Sequence, residues 1–215
     1  MPFDRQLFVK ELGRKAFHMA GCVIPAAYYF FVSKDLMAVL LALCVMGAGV
    51  LEYLRLTGRD LYPTSFMRPS EKGRLAGYFY AAASMFLAVL LLSKTVAVAA
   101  ILFLVVGDAV TGLAGAVLFM YTGKKTIDGR EKPDRGLAYA VTHPKPVALM
   151  LVMFMICSVI GLAFRPELSY VAIAAGAAGA VIADAFPWRV AGYTIDDNLS
   201  IPLLAGALMT LAMLV

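Results

Sequence analysis

The sequence predicts an all-α, polytopic integral membrane protein of about seven transmembrane helices with its N-terminus in the cytoplasm, and three observations carry that expectation. Of the 215 residues 62% are hydrophobic and 15% charged, at a mean hydropathy of +0.83, whereas soluble domains are roughly 45–50% apolar. Apolar runs of spanning length recur at about 16–33, 36–54, 75–93, 95–121, 146–164, 168–187 and 199–215. All but three of the 19 Lys and Arg residues fall in the N-terminal segment and in loops at about 55–74, 122–145 and 188–198; Lys34, Lys94 and Arg165 alone lie on the other side. Cytoplasmic loops carry such an excess, so the basic side is the cytoplasmic one. The net charge of +5 therefore points to a membrane boundary rather than to nucleic acid, for which no motif is present. The chain reads as a single transmembrane domain, residues 1–215, in the cell membrane. Its polar, amphipathic start predicts no cleavable signal peptide.

The first helix enters from the cytoplasm through ELGRKAFH, where Glu11, Lys15 and His18 share a face at i, i+4 and i+7 beside Arg14. A salt-bridged interfacial helix accounts for this pattern as readily as a binding wall does, although His18 already lies in the apolar run, which favours a polar partner there. The second span ends on Glu52 and Arg55, spaced as an ion pair. The loop after it carries Arg68 and Glu71, as interfacial charges or as part of a headgroup site. Spans three and four are joined by Ser93 and Lys94.

Span four holds the densest chemistry. An unbroken helix of ~27 residues reaches ~40 Å against a ~30 Å hydrocarbon core, so it must tilt, protrude or break. A break near Gly107 would set a half-helix N-terminus beside Asp108, as in interrupted helices that build substrate sites. An acid at membrane depth is functional by default. Gly112 and Gly115 share its face and allow close approach, and the run then opens into the basic loop with Lys124, Lys125 and Lys132. The stretch Gly107–Gly136 reads as one wall of a phosphate-and-metal site.

Span five is apolar scaffold. Span six is rich in Ala and Gly, a composition that packs closely against neighbours, and it carries Asp184 near its cytoplasmic end. Asp196, Asp197 and Asn198 precede the last span, where they suit either N-capping or a hydrated magnesium ion. Cys22, Cys44 and Cys157 lie in apolar runs without metal-binding or redox spacing and read as small buried hydrophobes. A P-loop fails because Leu118 stands where its first Gly should be. The dinucleotide glycine pattern fails at Glu52, and HExxH, CxxC and GxSxG are absent from the sequence.

The ordered set of remaining motifs resembles the CTP-dependent polyprenol kinases, a family that includes dolichol kinase, phytol kinase and the CTP-type diacylglycerol kinase and is related to the CDP-diacylglycerol synthases. The matching pieces are E-x-x-RK-x-x-H at Glu11, Arg14, Lys15 and His18; E-x-x-R at Glu52 and Arg55; and Arg68 with Glu71. They continue with GD-x-x-x-G at Gly107, Asp108 and Gly112, Gly123-Lys124, K-x-x-x-G at Lys132 and Gly136, and DN-x-x-x-P at Asp197, Asn198 and Pro202. Two pieces depart from the family: Pro133, Asp134 and Arg135 replace its usual Ser-x-Glu, and Asp184 stands where it usually has Glu.

The resemblance implies transfer of the γ-phosphoryl group of CTP to a polyprenol, dolichol-like or related lipid hydroxyl at the cytoplasmic face, with Mg²⁺ as cofactor. Asp108 and Asp197 would hold the metal or activate the alcohol. Lys124, Lys125 and Lys132 would bind the triphosphate, with Arg14, Lys15, His18, Glu71, Gly112 and Asn198 completing the wall. Asp108, Asp197 and His18 are the catalytic candidates. A cytidylyltransferase making a CDP-lipid from a lipid phosphate would use a similar site, and a small lipid transporter or flippase would use Asp108 as a coupling acid. The sequence is compatible with a homo-oligomer.

Overall fold

Apolar runs closed off by serine, proline and acidic caps fold into helices throughout the computed structural model, which describes residues 5–59, 73–122, 144–186, 189–190 and 193–214. The elements are α1 (Arg5–Ala20), α2 (Val23–Phe30), α3 (Lys34–Leu56), α4 (Gly77–Leu91), α5 (Lys94–Leu102), a π-helical segment (Phe103–Asp108), α6 (Ala109–Thr122), α7 (Val147–Leu162), α8 (Tyr170–Ala185) and α9 (Asp197–Ala212). A two-residue hairpin, β1 (Arg189–Val190) with β2 (Tyr193–Thr194), lies in what the sequence predicts as a loop. Ser33 caps α3 by accepting from the Leu36 amide at 3.4 Å, and Ser169 caps α8 by accepting from Ala172 at 3.1 Å.

The first predicted span is two helices rather than one. Pro25 has no N–H to donate to the Gly21 carbonyl, so the helix cannot run through; that carbonyl accepts from Ile24 at 3.1 Å instead. The turn also needs Gly21 for space, since a Cβ there would lie 2.9 Å from the His18 carbonyl oxygen and 3.5 Å from Val105.

Of the three alternatives open for span four, the break is the one not taken. No break occurs at Gly107: α5, the π segment and α6 run on continuously, so no half-helix N-terminus faces Asp108. The π segment absorbs the irregularity within the helix. Gly107 serves packing, for a Cβ on it would sit 3.1 Å from both the Cys157 and Met153 sulfurs of α7. Val96 to Ile101 are buried without exception, because α2, α4, α7 and α9 all pack onto this central helix.

Small residues let α8 and α9 pack the most extensively of all the helix pairs. A Cβ on Gly179 would meet the Ala205 Cα at 3.0 Å and the Leu204 carbonyl oxygen at 3.1 Å; the contact is backbone to backbone, as the Ala/Gly composition predicts. By contrast α3 leans on α4 and leaves Leu43, Met46 and Val50 exposed.

The lower end of α3 is tied down by its charged pair. Arg55 donates to both carboxylate oxygens of Glu52, through Nε at 3.0 Å and Nη2 at 2.6 Å. The same carboxylate accepts from the Ala76 amide at 2.9 Å and from the Tyr78 hydroxyl, while Arg55 also donates to the Arg74 carbonyl. Glu52 thus has a structural role, fastening the start of α4 to the end of α3. At the opposite turns the three isolated cations each meet a carbonyl: Lys34 that of Leu92 at 2.9 Å, Lys94 that of Val32 at 3.3 Å, and Arg165 that of Leu168 at 3.3 Å.

Two helices, Lys34–Leu56 and Lys94–Leu118, are long and apolar enough to cross a membrane by length and composition; Gly77–Leu91, Val147–Leu162, Tyr170–Ala185 and Asp197–Ala212 are shorter apolar helices. Replacing Glu52 by Ala strands the Ala76 amide and takes the carboxylate from the Arg55 guanidinium, so Glu52→Ala is expected to lower stability by ~3–5 kcal/mol, read as a lower melting temperature in detergent.

Candidate functional site

Three acids far apart in sequence meet where the π segment, α8 and α9 come together. Carboxylate oxygens of Asp108, Asp184 and Asp197 all lie within 4.8 Å of one another, the first two acids buried and the third half-buried. Two unit negative charges ~5 Å apart repel by ~3 kcal/mol even at an effective dielectric of ~20. Such a cluster requires counter-charge.

Two lysines supply it. From α1, the Lys15 ammonium donates to Asp108 Oδ2 at 2.7 Å and to the Asp108 backbone carbonyl at 3.0 Å. Lys15 itself is only 2% exposed. Its path to the acid lies over Gly112: a Cβ there would be 2.3 Å from the lysine Cε and 2.5 Å from Nζ. The glycine one turn beyond Asp108 therefore makes room for the cation, which explains why the GD-x-x-x-G spacing matters physically. Just before α7, Lys145 donates to Asp184 Oδ1 at 2.5 Å, and its backbone amide donates to the Ala185 carbonyl at 3.2 Å. Burial alone would depress the Lys145 ammonium, but Asp184, with Asp197 and Asp108 behind it, outweighs burial and holds it above the ordinary lysine value.

His18 completes this wall. Its Nε2 lies 3.2 Å from the Leu104 carbonyl oxygen in the π segment and 3.7 Å from Asp108 Oδ2. A carbonyl can only accept, so Nε2 carries the hydrogen in the neutral ring and Nδ1 carries the lone pair. Lys15 and His18, predicted to share a helix face, do turn toward the same carboxylate. Arg14 is half-buried beside them and near enough to act on His18 electrostatically.

The segment before α9 divides its labour. Asp196 is the N-cap, accepting from the Asn198 amide at 3.0 Å and from its side-chain Nδ2 at 2.6 Å. Asn198 is buried in that bond, while Asp197 belongs to the acidic cluster. The capping alternative open in the sequence is thus realised by Asp196. Pro202 withholds the amide that a regular helix would donate to the Asn198 carbonyl.

The structure places Lys15, His18, Asp108, Gly112 and Asp197 together, with Asn198 beside Asp197, and sets Glu52 apart in the α3–α4 clamp. Glu71, Lys124, Lys125 and Lys132, with Arg68, lie outside the described residues, as does the side chain of Glu11. Sequence reasoning did not assign Asp184 to the metal set or Lys145 to the site. Asp184, like Asp108, is an acid set in an apolar run. For Lys145 the available signal is its bracketing by Pro144 and Pro146, which stiffens the chain at that point.

The donor set suits a small hard cation such as Mg²⁺, since three carboxylates offer oxygen ligands within 4.8 Å of one another. No protein-family model, curated protein or solved structure matches the chain.

Gly112→Ala is expected to push Lys15 off Asp108 and cost ~1–3 kcal/mol. In a Lys15→Ala background, where nothing occupies that space, the same change should cost much less. A double-mutant cycle of melting temperatures measures the difference.

Proposed function

We propose that this chain is a membrane-embedded lipid-alcohol kinase that transfers the γ-phosphoryl group of CTP to the hydroxyl of a polyprenol or similar lipid at the cytoplasmic face. The observation that carries this reading is the convergence of Asp108, Asp184 and Asp197 with Lys15, Lys145 and His18 at one place. Phosphoryl transfer chiefly requires in-line positioning and neutralisation of phosphate charge, and a carboxylate–lysine cluster provides for both. Support for seven spans in a membrane comes from the composition, from the two helices of spanning length and from side chains such as Phe30, Phe31, Leu91, Met155 and Val171 that stand exposed; a water-facing surface carries few such contiguous patches.

In this reading Asp108, Asp184 and Asp197 would hold Mg²⁺, which would supply Lewis-acid neutralisation of the triphosphate. The lipid hydroxyl oxygen attacks the γ-phosphorus as the bond from the γ-phosphorus to the β–γ bridging oxygen breaks, and CDP leaves. His18 takes the hydroxyl proton on Nδ1, the nitrogen left with a lone pair by the Leu104 contact. Lys15 and Lys145 bring positive charge against the phosphates. The apolar walls of the bundle keep water from competing with the alcohol.

The test uses CTP labelled at either the α or the γ phosphorus with lipid alcohols and lipid phosphates as acceptors. Label reaching a lipid alcohol only from the γ position is the expected result. Label from the α position onto a lipid phosphate would instead establish the cytidylyltransferase, and lipid movement across liposomes without transfer would establish a carrier. Asp108→Asn is expected to lower transfer by about 100-fold or more while the protein stays folded in detergent; wild-type activity in that variant removes Asp108 from the reaction.

A further inference from the structure

The two kinds of buried acid in this fold are neutralised differently. Glu52 is gripped by an arginine fork, with both oxygens engaged by Arg55 and further donors from Ala76 and Tyr78. Asp108 and Asp184 are each met by a lysine through one oxygen, Oδ2 and Oδ1 respectively, and the described residues supply no hydrogen bond to the other oxygen of either acid. Both acids are more than nine-tenths buried, at 8% and 7% exposure. An arginine fork fixes a geometry, whereas a lysine is a point charge on a flexible stem that re-aims readily. A structural acid in this chain thus receives the rigid partner, and the clustered acids receive the movable ones.

Among the described residues, the ammonium groups of Lys15 and Lys145 meet Asp108 and Asp184, and His18 lies beside the first acid. A divalent cation among the acids makes the lysines redundant there, while a triphosphate arriving with it needs them. Resting on the kinase reading of this site, we propose that Lys15 and Lys145 are exchangeable counter-ions: they hold Asp108 and Asp184 while the centre lacks metal, and they pass to the nucleotide phosphates when the divalent cation takes the carboxylates. Lys145, which the sequence motifs leave out, becomes a nucleotide-binding residue. Metal and nucleotide then bind with positive coupling, because each relieves a charge imbalance that the other would leave.

The experiment is Mn²⁺ binding to the purified full chain in detergent, followed by electron paramagnetic resonance without nucleotide, together with filter binding of labelled CTP at saturating Mn²⁺. Lys145→Met removes a competing cation, so Mn²⁺ is expected to bind several-fold more tightly than to wild type while CTP binds about tenfold more weakly. Lys15→Met is expected to shift both affinities in the same directions, and Lys145→Gln provides an uncharged variant that keeps a hydrogen-bond donor. A lysine that merely supports the fold would weaken both ligands together. Mn²⁺ affinity unchanged or lowered in the lysine variants overturns the exchange. If Asp197→Asn nevertheless abolishes Mn²⁺ binding, the metal site stands and the exchange alone fails. Absence of Mn²⁺ binding to wild type overturns both.

Discussion

The buried contact between Lys15 and Asp108 is the constraint on which the rest of the site depends. An isolated carboxylate in the middle of an apolar helix is not a stable arrangement, and its neutralising cation comes from α1, 93 residues away in sequence. That single requirement fixes the approach of α1 to α6 and the absence of a side chain at Gly112. His18 then falls beside the same acid by helical geometry alone, three residues further along the helix.

A second constraint assembles the other two acids. Asp184 closes α8 and Asp197 opens α9, so bringing them to one point requires those helices to lie against each other near that end. The Ala/Gly face of α8 accomplishes this through backbone contact at Gly179 and through the space at Gly176 that Met209 fills. Small residues in the middle of the helices therefore set the spacing of charged residues at their ends.

The all-α class and most helix positions were legible in the sequence, because each rests on local composition. The hydrophobic runs mark the helices, and Asp108 stands out against its own surroundings. The grouping of Lys15 with His18 was legible from helical period. What the sequence left open depends on contacts between distant segments. Nothing local to Glu52 says that the Ala76 amide will meet it, and nothing local to Lys145 names Asp184 as its partner. The assignment of Asp196 to capping and Asp197 to the cluster turns on the rotation of α9. The alternatives for span four rested on its length, and length does not distinguish a broken helix from one that carries a π turn.

That π segment has a consequence for how the central helix can be read at all. A π turn holds more residues than an α turn, so the stretches before and after Phe103–Asp108 are out of phase by a fraction of a turn. Residues of α5 and α6 that a helical wheel would superimpose therefore look toward different neighbours. A single hydrophobic period fitted across Lys94–Leu118 averages two rotational settings, and the direction of Asp108 is decided within the very residues where the setting changes.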